Sequence, residues 1–457
     1  MHKIFVKIEK NNYVPRGTAN HGFDGFFQTQ MGFKQMPANQ LTGNSVMQQY
    51  QRDWGLSSTS MSSLLTRDSN EITPNRDQTS SIYGQVSHQY ANGNRYSSRD
   101  YVQAAVRSGA NLTVSLTSLA TKILFDTTGT KCTGGTAGVP RATGVEYLFG
   151  PSVYGADNRR TASSKSSAQK RTVLARREVI VSGGAFNSPQ ILQVSGIGNA
   201  TLLQKYNIPV IKDLPGVGEN LMDNQEMPII GTGTGGSGMA GVAMFKTGHP
   251  AHGERDMFLM GGQGFLFRGF WPDNPVRTPT EVRTPYGVSM VKGSSVNNKG
   301  WVRIRSADAT EPPEINFNHF ATGAEYDLEA MKDTVNWIRT VFRRANITPV
   351  EPPCSTTITS DGKCGDGKSD EAWIHKQTFG HHPTSTNRIG ADGDPGAVLD
   401  SKFRVRGVSG LRVVDASAFA RIPGVFPAVS TFMISQKASD DMLAELKDGK
   451  AVGVCPV

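Results

Sequence analysis

The chain has 457 residues, enough for two or three core-sized units and for a core that needs no disulfide staples. Charged residues make up 19% and hydrophobic ones 37%, which excludes an acidic disordered tail, and no apolar run approaches the roughly 18 residues of a spanning helix. The 48 Lys and Arg outnumber the 39 Asp and Glu, but Arg159-Arg160, Arg176-Arg177 and Arg343-Arg344 are scattered rather than striped, which argues against a nucleic-acid partner.

Residues 1–100 are polar and rich in Gln, Asn and Ser, with weak periodicity; the stretch 56–66 (LSSTSMSSLLT) reads as loop. A short helix is expected over 101–108. NLTVSL and the alternating Leu119, Thr121, Ile123 and Phe125 then read as a strand pair, and RATGVEYLF (141–149) as a further strand. The run ADNRRTASSKSSAQKR (156–171) is low in complexity and reads as an exposed insertion. Glu178–Ser182 is a short apolar strand with a Gly183-Gly184 exit. Ser188 is expected to cap a helix with Pro189 at its first position, which would turn a helix N-terminus toward a ligand. That helix ends at Ser195-Gly196-Ile197-Gly198.

Farther on, Trp301–Arg305 reads as a strand. Thr322 with Glu325 forms an expected capping box, followed by a helix to Arg344 with the stripe Leu328, Met331, Val335, Ile338 and Phe342. The chain closes on GLRVVDASAF and a helix from about Val429 to Leu446, again strand, turn, helix.

Several constellations carry less than their patterns suggest. Gly231, Gly233 and Gly236 spell G-x-G-x-x-G, but a thin strand precedes them and more glycines follow where a helix should start, so the segment reads as a flexible turn. His375, His381 and His382 have no metal-ligand spacing. A loop imidazole followed by proline and hydroxyl residues is instead a proton acceptor near neutrality. The segment 195–198 is no nucleophile elbow. Of four cysteines (Cys132, Cys354, Cys364, Cys455), Cys354 and Cys364 bracket a polar loop that they would close in an oxidising compartment. Sequons at Asn111, Asn199 and Asn346 fit secretion, though Pro349 makes the last a poor acceptor, while MHKIFVKIEKNN lacks the apolar stretch of a signal peptide.

Taken together, the motifs resemble one family. GAFNSPQILQVSGIG (184–198) is similar to the second signature of the glucose–methanol–choline (GMC) oxidoreductases. LPGVGENLMDN (214–224) resembles that family's L-P-G-V-G-x-N-L-x-D-H, with Asn224 in place of histidine. NLTVSLTSLATKILF, RATGVEYL, GWVRIRSADATEPPEINFNHF and FRVRGVSGLRVVDASAF follow in the family's order, over roughly residues 15–446, with a texture closest to fungal secondary-metabolism dehydrogenases.

The resemblance implies a mixed α/β and α+β fold, in which an incomplete Rossmann-like FAD-binding domain is interleaved with an antiparallel-sheet substrate domain. It divides the chain into 1–100 (substrate-domain part), 101–224 (FAD-binding part), 225–380 (substrate-binding domain) and 381–457 (return to the FAD-binding domain). It implies oxidation of a small-molecule alcohol, with FAD as hydride acceptor and His382 as the catalytic proton acceptor. Ala120 falls at the adenosine contact, Asp415 and Ala416 at the flavin-contacting turn, and Phe426-Pro427 beneath the isoalloxazine. Phe426 also stands where the family places a second His or Asn, and a phenyl ring cannot share a proton. The family's opening G-x-G-x-x-G unit and acidic ribose ligand are not in this sequence, which starts near PRGTANHGFDG of the family pattern. Weak FAD binding by this chain alone is therefore expected, with the front supplied by a separate N-terminal polypeptide or lost in an inactive truncated remnant. A non-redox cyclase or lyase on the same scaffold is the alternative activity.

Overall fold

The structure is a computed structural model and describes residues 1–31, 44–84, 86–131, 135–234, 241–269, 282–449, 453 and 455. Cys132 and Gly236 lie outside the described residues. After a short N-terminal helix, His2–Ile8, the helices in chain order are α1 (Ser45–Asp53), α2 (Met61–Leu65), α3 (Ser98–Arg107), α4 (Gly184–Val194), α5 (Ala200–Lys205), α6 (Ala324–Arg344), α7 (Ser369–Gln377) and α8 (Pro427–Lys447). The main strands are β1 (Ser81–Tyr83), β2 (Ser118–Asp126), β3 (Arg141–Phe149), β4 (Gln169–Leu174), β5 (Val179–Val181), β6 (Glu226–Thr232), β7 (Val242–Phe245), β8 (Met257–Gln263), β9 (Pro285–Lys292), β10 (Thr348–Glu351) and β11 (Leu411–Val413). They form two compact units, each assembled from three stretches of chain: Met1–Ala110, Asn224–Asn297 and His319–His381 in the first, Asn111–Asp223, Asn298–Asn318 and His382–Val457 in the second.

The first unit is built on an antiparallel sheet in the order β10-β6-β9-β8-β7-β1. The stripe anticipated on α6 is its core: Leu328, Met331, Val335, Ile338 and Phe342 are buried with Ile229 of β6 and Tyr286, Val288 and Met290 of β9. The start of α6 differs from the capping box expected. Gly323 at φ +68° is the N-cap, with no side-chain cap, and the Thr322 hydroxyl donates to Asn297 Oδ1 at 3.2 Å instead. A tertiary acceptor outcompetes the local one. Residues 61–65 of the expected loop are helix α2, because Ser60 accepts from Ser63 N–H at 3.1 Å and Leu64 and Leu65 are buried. Gly231, read as part of a turn, lies in β6 and faces Tyr286 across an antiparallel ladder, which no phosphate loop does.

At the far end of α6, Arg339 is fully buried and forks onto Asp370 of α7 at 2.6 and 2.7 Å, with further bonds to the carbonyls of Gly362 and Pro352. Gly362 belongs to the loop that the Cys354–Cys364 disulfide closes.

The second unit holds the antiparallel sheet β2-β3-β4 and the parallel pair β5–β11, in which Val179 faces Leu411 and Val181 faces Val413. Val179, Val181, Leu192 of α4, Leu411, Val413, Ile434 and Ala438 of α8 share one core. The two strand–turn–helix segments of the sequence therefore lie side by side. NLTVSL does not pair as expected: residues 111–117 are exposed and outside regular structure, and β2 starts at Ser118. The run 156–171 is largely exposed, with Ser164 buried within it, and its last three residues, Gln169–Arg171, are the exposed start of β4. Arg412, buried on β11, binds Glu178 at 2.8 Å and Glu445 of α8 at 2.5 Å, which fixes the helix against the parallel pair.

The Arg339–Asp370 pair gives a direct stability test. Asp370→Ala leaves a buried guanidinium without its carboxylate and should cost about 3–5 kcal/mol in urea unfolding. A cost below about 1 kcal/mol would mean that the pair does not hold α7 to α6.

Candidate active site

The site is built around the loop 382–389, which the second unit grips from two sides. On one side, Met222 and Thr384 exchange backbone bonds of 3.2 and 2.9 Å, and Gly218 N–H donates to Thr386 O at 2.8 Å. On the other, the N–H groups of Ser385, Asn387 and Ile389 donate to the carbonyls of Ala416, Ser417 and Ala418 at 3.1, 2.9 and 3.0 Å. Gly218 must be glycine: its φ is +86°, and a Cβ would lie 2.1 Å from the Val302 carbonyl oxygen. Ser385 is buried at φ +73°, a conformation that costs a non-glycine residue roughly 1–2 kcal/mol, so the grip over-determines it.

His382 opens this loop. Its side chain is largely buried, its backbone N–H donates to Asp223 Oδ1 at 2.8 Å, and its ring meets Phe426 edge to face at a centroid distance of 5.2 Å. The hydroxyls that follow anchor the loop rather than the imidazole. Thr384 Oγ1 donates to Met222 O at 3.4 Å, Ser385 Oγ to Thr384 Oγ1 at 3.1 Å and Thr386 Oγ1 to Ala185 O at 2.6 Å.

That last bond explains an anomaly in α4. The helix starts at Gly184, not at Pro189 after a Ser188 cap, so Pro189 is its sixth residue. An interior proline has no N–H for the carbonyl four residues earlier. Here that carbonyl belongs to Ala185, and the Thr386 hydroxyl takes the place of the missing donor.

Asp415 occupies the helix N-terminus that the sequence offered to a ligand. Its Oδ2 accepts from Gly184 N–H at 2.9 Å and from Ser188 Oγ at 2.5 Å, and its Oδ1 accepts from Ser417 N–H at 2.8 Å. Ser188 Oγ in turn accepts from Gly183 N–H at 2.9 Å. The carboxylate thus matches the positive end of α4 from within the chain. Gly184 sits at φ +82°, so a side chain there would be strained even though the space is open. Ala416 lies in the same turn, and Pro427 is the first residue of α8, with Phe426 as its N-cap.

Ala120 is on β2 and lines a cavity of about 440 Å³ with Leu119, Ile123, Val145, Ile180 and Gly183. At its polar edge, Tyr154 hydroxyl donates to Gln190 Oε1 at 3.2 Å and accepts from Asn187 Nδ2 at 2.8 Å. Burial raises the pKa of that hydroxyl, which keeps it a neutral donor.

His381 ends the first unit, where its Nδ1 lies 3.1 Å from buried Glu226 Oε2. His375 packs edge-on against Phe320 at 5.1 Å. Asn224, the histidine position of the family motif, donates to the carbonyls of Lys292 and Gly293 at 2.7 and 3.2 Å. Asp223 was not singled out in the sequence, although a carboxylate directly after the apolar Leu221-Met222 is the signal that marks it. Among the described residues no group of His, Cys, Asp and Glu could hold a metal ion, and no helix is long and apolar enough to cross a membrane.

An α/β unit with a parallel strand pair is thus interleaved along the chain with an antiparallel-sheet unit. Two family models, both described as GMC oxidoreductase, match residues 46–226 and 296–435. The chain belongs to the GMC oxidoreductase family. It is 32% identical over 375 residues to the mitochondrial choline dehydrogenase of Homo sapiens, an alignment covering 76% of this chain and 56% of that protein. A glucose methanol choline oxidoreductase of Aspergillus terreus is 28% identical over 384 residues, 76% of this chain and 57% of its own. The chain thus spans little more than half the length of these relatives. Among solved structures, a formate oxidase of Aspergillus oryzae, in work on FAD modification, aligns with a TM-score of 0.71 at 19% identity over 98% of this chain and 78% of its own. A pyridoxine 4-oxidase from Mesorbium loti aligns with a TM-score of 0.68 at 18% identity over 97% and 76%. At these identities the likeness is one of fold.

The Asp223 contact is testable apart from catalysis. Asp223→Ala should raise amide hydrogen exchange across residues 382–389, whereas Asp223→Asn, which keeps an acceptor oxygen, should restore most of the protection. Equal exchange in the wild type and both variants would remove Asp223 from the support of this loop.

Proposed function

We propose that this chain provides the flavin-binding and proton-accepting parts of an FAD-dependent oxidation of a small-molecule alcohol, in a fungal secondary-metabolism setting. The observation that carries the reading is the fixed position of His382, which Asp223 holds at the backbone and the flanking ladders hold on both sides. FAD would supply the hydride acceptor. The residues present suit it at two places. The apolar cavity beside Ala120 has the size and lining of a small-molecule site and suits a flat adenine face. The N-terminus of α8 has no acidic residue in its first turn, so its N–H groups and dipole favour an electron-rich ring edge or a developing anion. A pyrophosphate has no such welcome at α4, which Asp415 already fills.

In this reading His382 accepts the hydroxyl proton as the carbinol hydride leaves. The Phe426 ring packs at right angles to the imidazole without competing for the proton. Phe426 also supports a second reading, a non-redox cyclase or lyase, since a single imidazole can serve acid–base chemistry that needs no electron acceptor. Turnover that persists without any acceptor selects that reading.

The test uses protein shown by absorbance to hold flavin. His382→Ala should lower turnover about 10²–10⁴-fold with melting temperature nearly unchanged, and His381→Ala should lower it far less. Equal losses in both variants would take His382 out of the reaction.

A further inference from the structure

We infer that Asn199 is an N-glycan acceptor. Asn199-Ala200-Thr201 is a sequon, and both Asn199 and Thr201 are exposed in the folded chain. Asn199 is the N-cap of α5, in extended backbone at φ −61° and ψ 119°. Its Oδ1 accepts from Leu202 N–H at 3.1 Å. Among the described residues its Nδ2 makes no hydrogen bond. The planar amide therefore divides its duties: the oxygen caps the helix, and the nitrogen, on which a glycan is built, faces away from that bond. A sugar at Nδ2 leaves the cap in place.

The other sequons differ in the fold. Asn346 has φ +56°, its neighbour Ile347 is buried, and Thr348 is paired with Thr232 in the β10–β6 ladder, with Pro349 next. Asn111 lies among the exposed apolar residues Leu112, Val114 and Leu116. Asn199 alone combines an open amide nitrogen with a settled local structure.

An independent observation concerns the compartment. Cys354 and Cys364 form a disulfide, and Cys455 is disulfide-bonded as well. Disulfides persist where the chain folds under oxidising conditions, and the secretory lumen that provides these also holds the glycosylation machinery. The donor is a lipid-linked oligosaccharide pyrophosphate. In the transfer, sugar C1 forms a bond to Asn199 Nδ2, the C1–O bond to the lipid pyrophosphate breaks, and the amide proton leaves as the pyrophosphate departs.

The experiment is glycopeptide mass spectrometry of the protein purified from its native cells, before and after peptide-N-glycosidase in heavy-oxygen water. The expected result is a glycan on the peptide containing Asn199, which becomes oxygen-labelled aspartate after release, and an unmodified Asn346. An unmodified Asn199 peptide, or a glycan found at Asn346 instead, overturns the inference. Asn199→Gln removes the cap as well as the acceptor, so Thr201→Ala and Thr201→Ser serve as the paired variants. Both keep the cap. Expressed through a eukaryotic secretory pathway, Thr201→Ala should lose the gel-mobility shift of this site and Thr201→Ser should retain it. The same shift in all three forms would place the glycan elsewhere.

Discussion

The hydroxyl of Thr386 on the carbonyl of Ala185 is the contact on which the rest of the site depends. Pro189 removes the third i→i−4 hydrogen bond of α4, and an orphaned carbonyl in a buried helix is costly. Supplying its donor from a loop 201 residues away turns a local defect into a fixed point. From that point the loop is gripped on both sides, and His382 lies four residues from it. The proline that weakens the helix is what gives the loop somewhere to bind.

Asp415 completes the same logic on the electrostatic side. The end of β5, the turn 183–184 and the start of α4 have the look of an anion site. The chain instead supplies its own anion from the end of β11, and with it ties together the two parallel strands' exits. A residue expected from the family resemblance to face flavin thus organises the backbone on which a flavin would rest. The cavity beside Ala120 and the N-terminus of α8, unlike that of α4, carry among the described residues no carboxylate of the chain itself.

Much of this architecture is legible in the sequence where periodicity is long. The five-residue stripe of α6 is buried at helical spacing over several turns, whereas the strands at 141–149 and 179–181 and the helix 427–447 show as apolar runs bounded by glycine or proline. Reading fails where one tertiary partner decides. Thr322 forms no capping box because its hydroxyl goes to Asn297, and Ser188 is no N-cap because Asp415 and Gly183 claim its hydroxyl. Residues 61–65 are too short to show a period, yet one serine cap and two buried leucines suffice. For the site, His382 could be named from its neighbours and the family motif, whereas Asp223 and the Pro189–Thr386 pairing depend on contacts between segments far apart in sequence.

The central claim is that Thr386 matters because Pro189 leaves Ala185 without a donor. A double-mutant cycle of Thr386→Val and Pro189→Ala, read by chemical denaturation, tests it most directly. Thr386→Val alone should cost about 1–3 kcal/mol, since it orphans a buried carbonyl. In the Pro189→Ala background, the restored N–H can bond Ala185 O, and the same valine substitution should cost far less, giving a coupling energy of about 1 kcal/mol or more. Strict additivity of the two substitutions would contradict the account: the loop and the helix would then be neighbours without being each other's support.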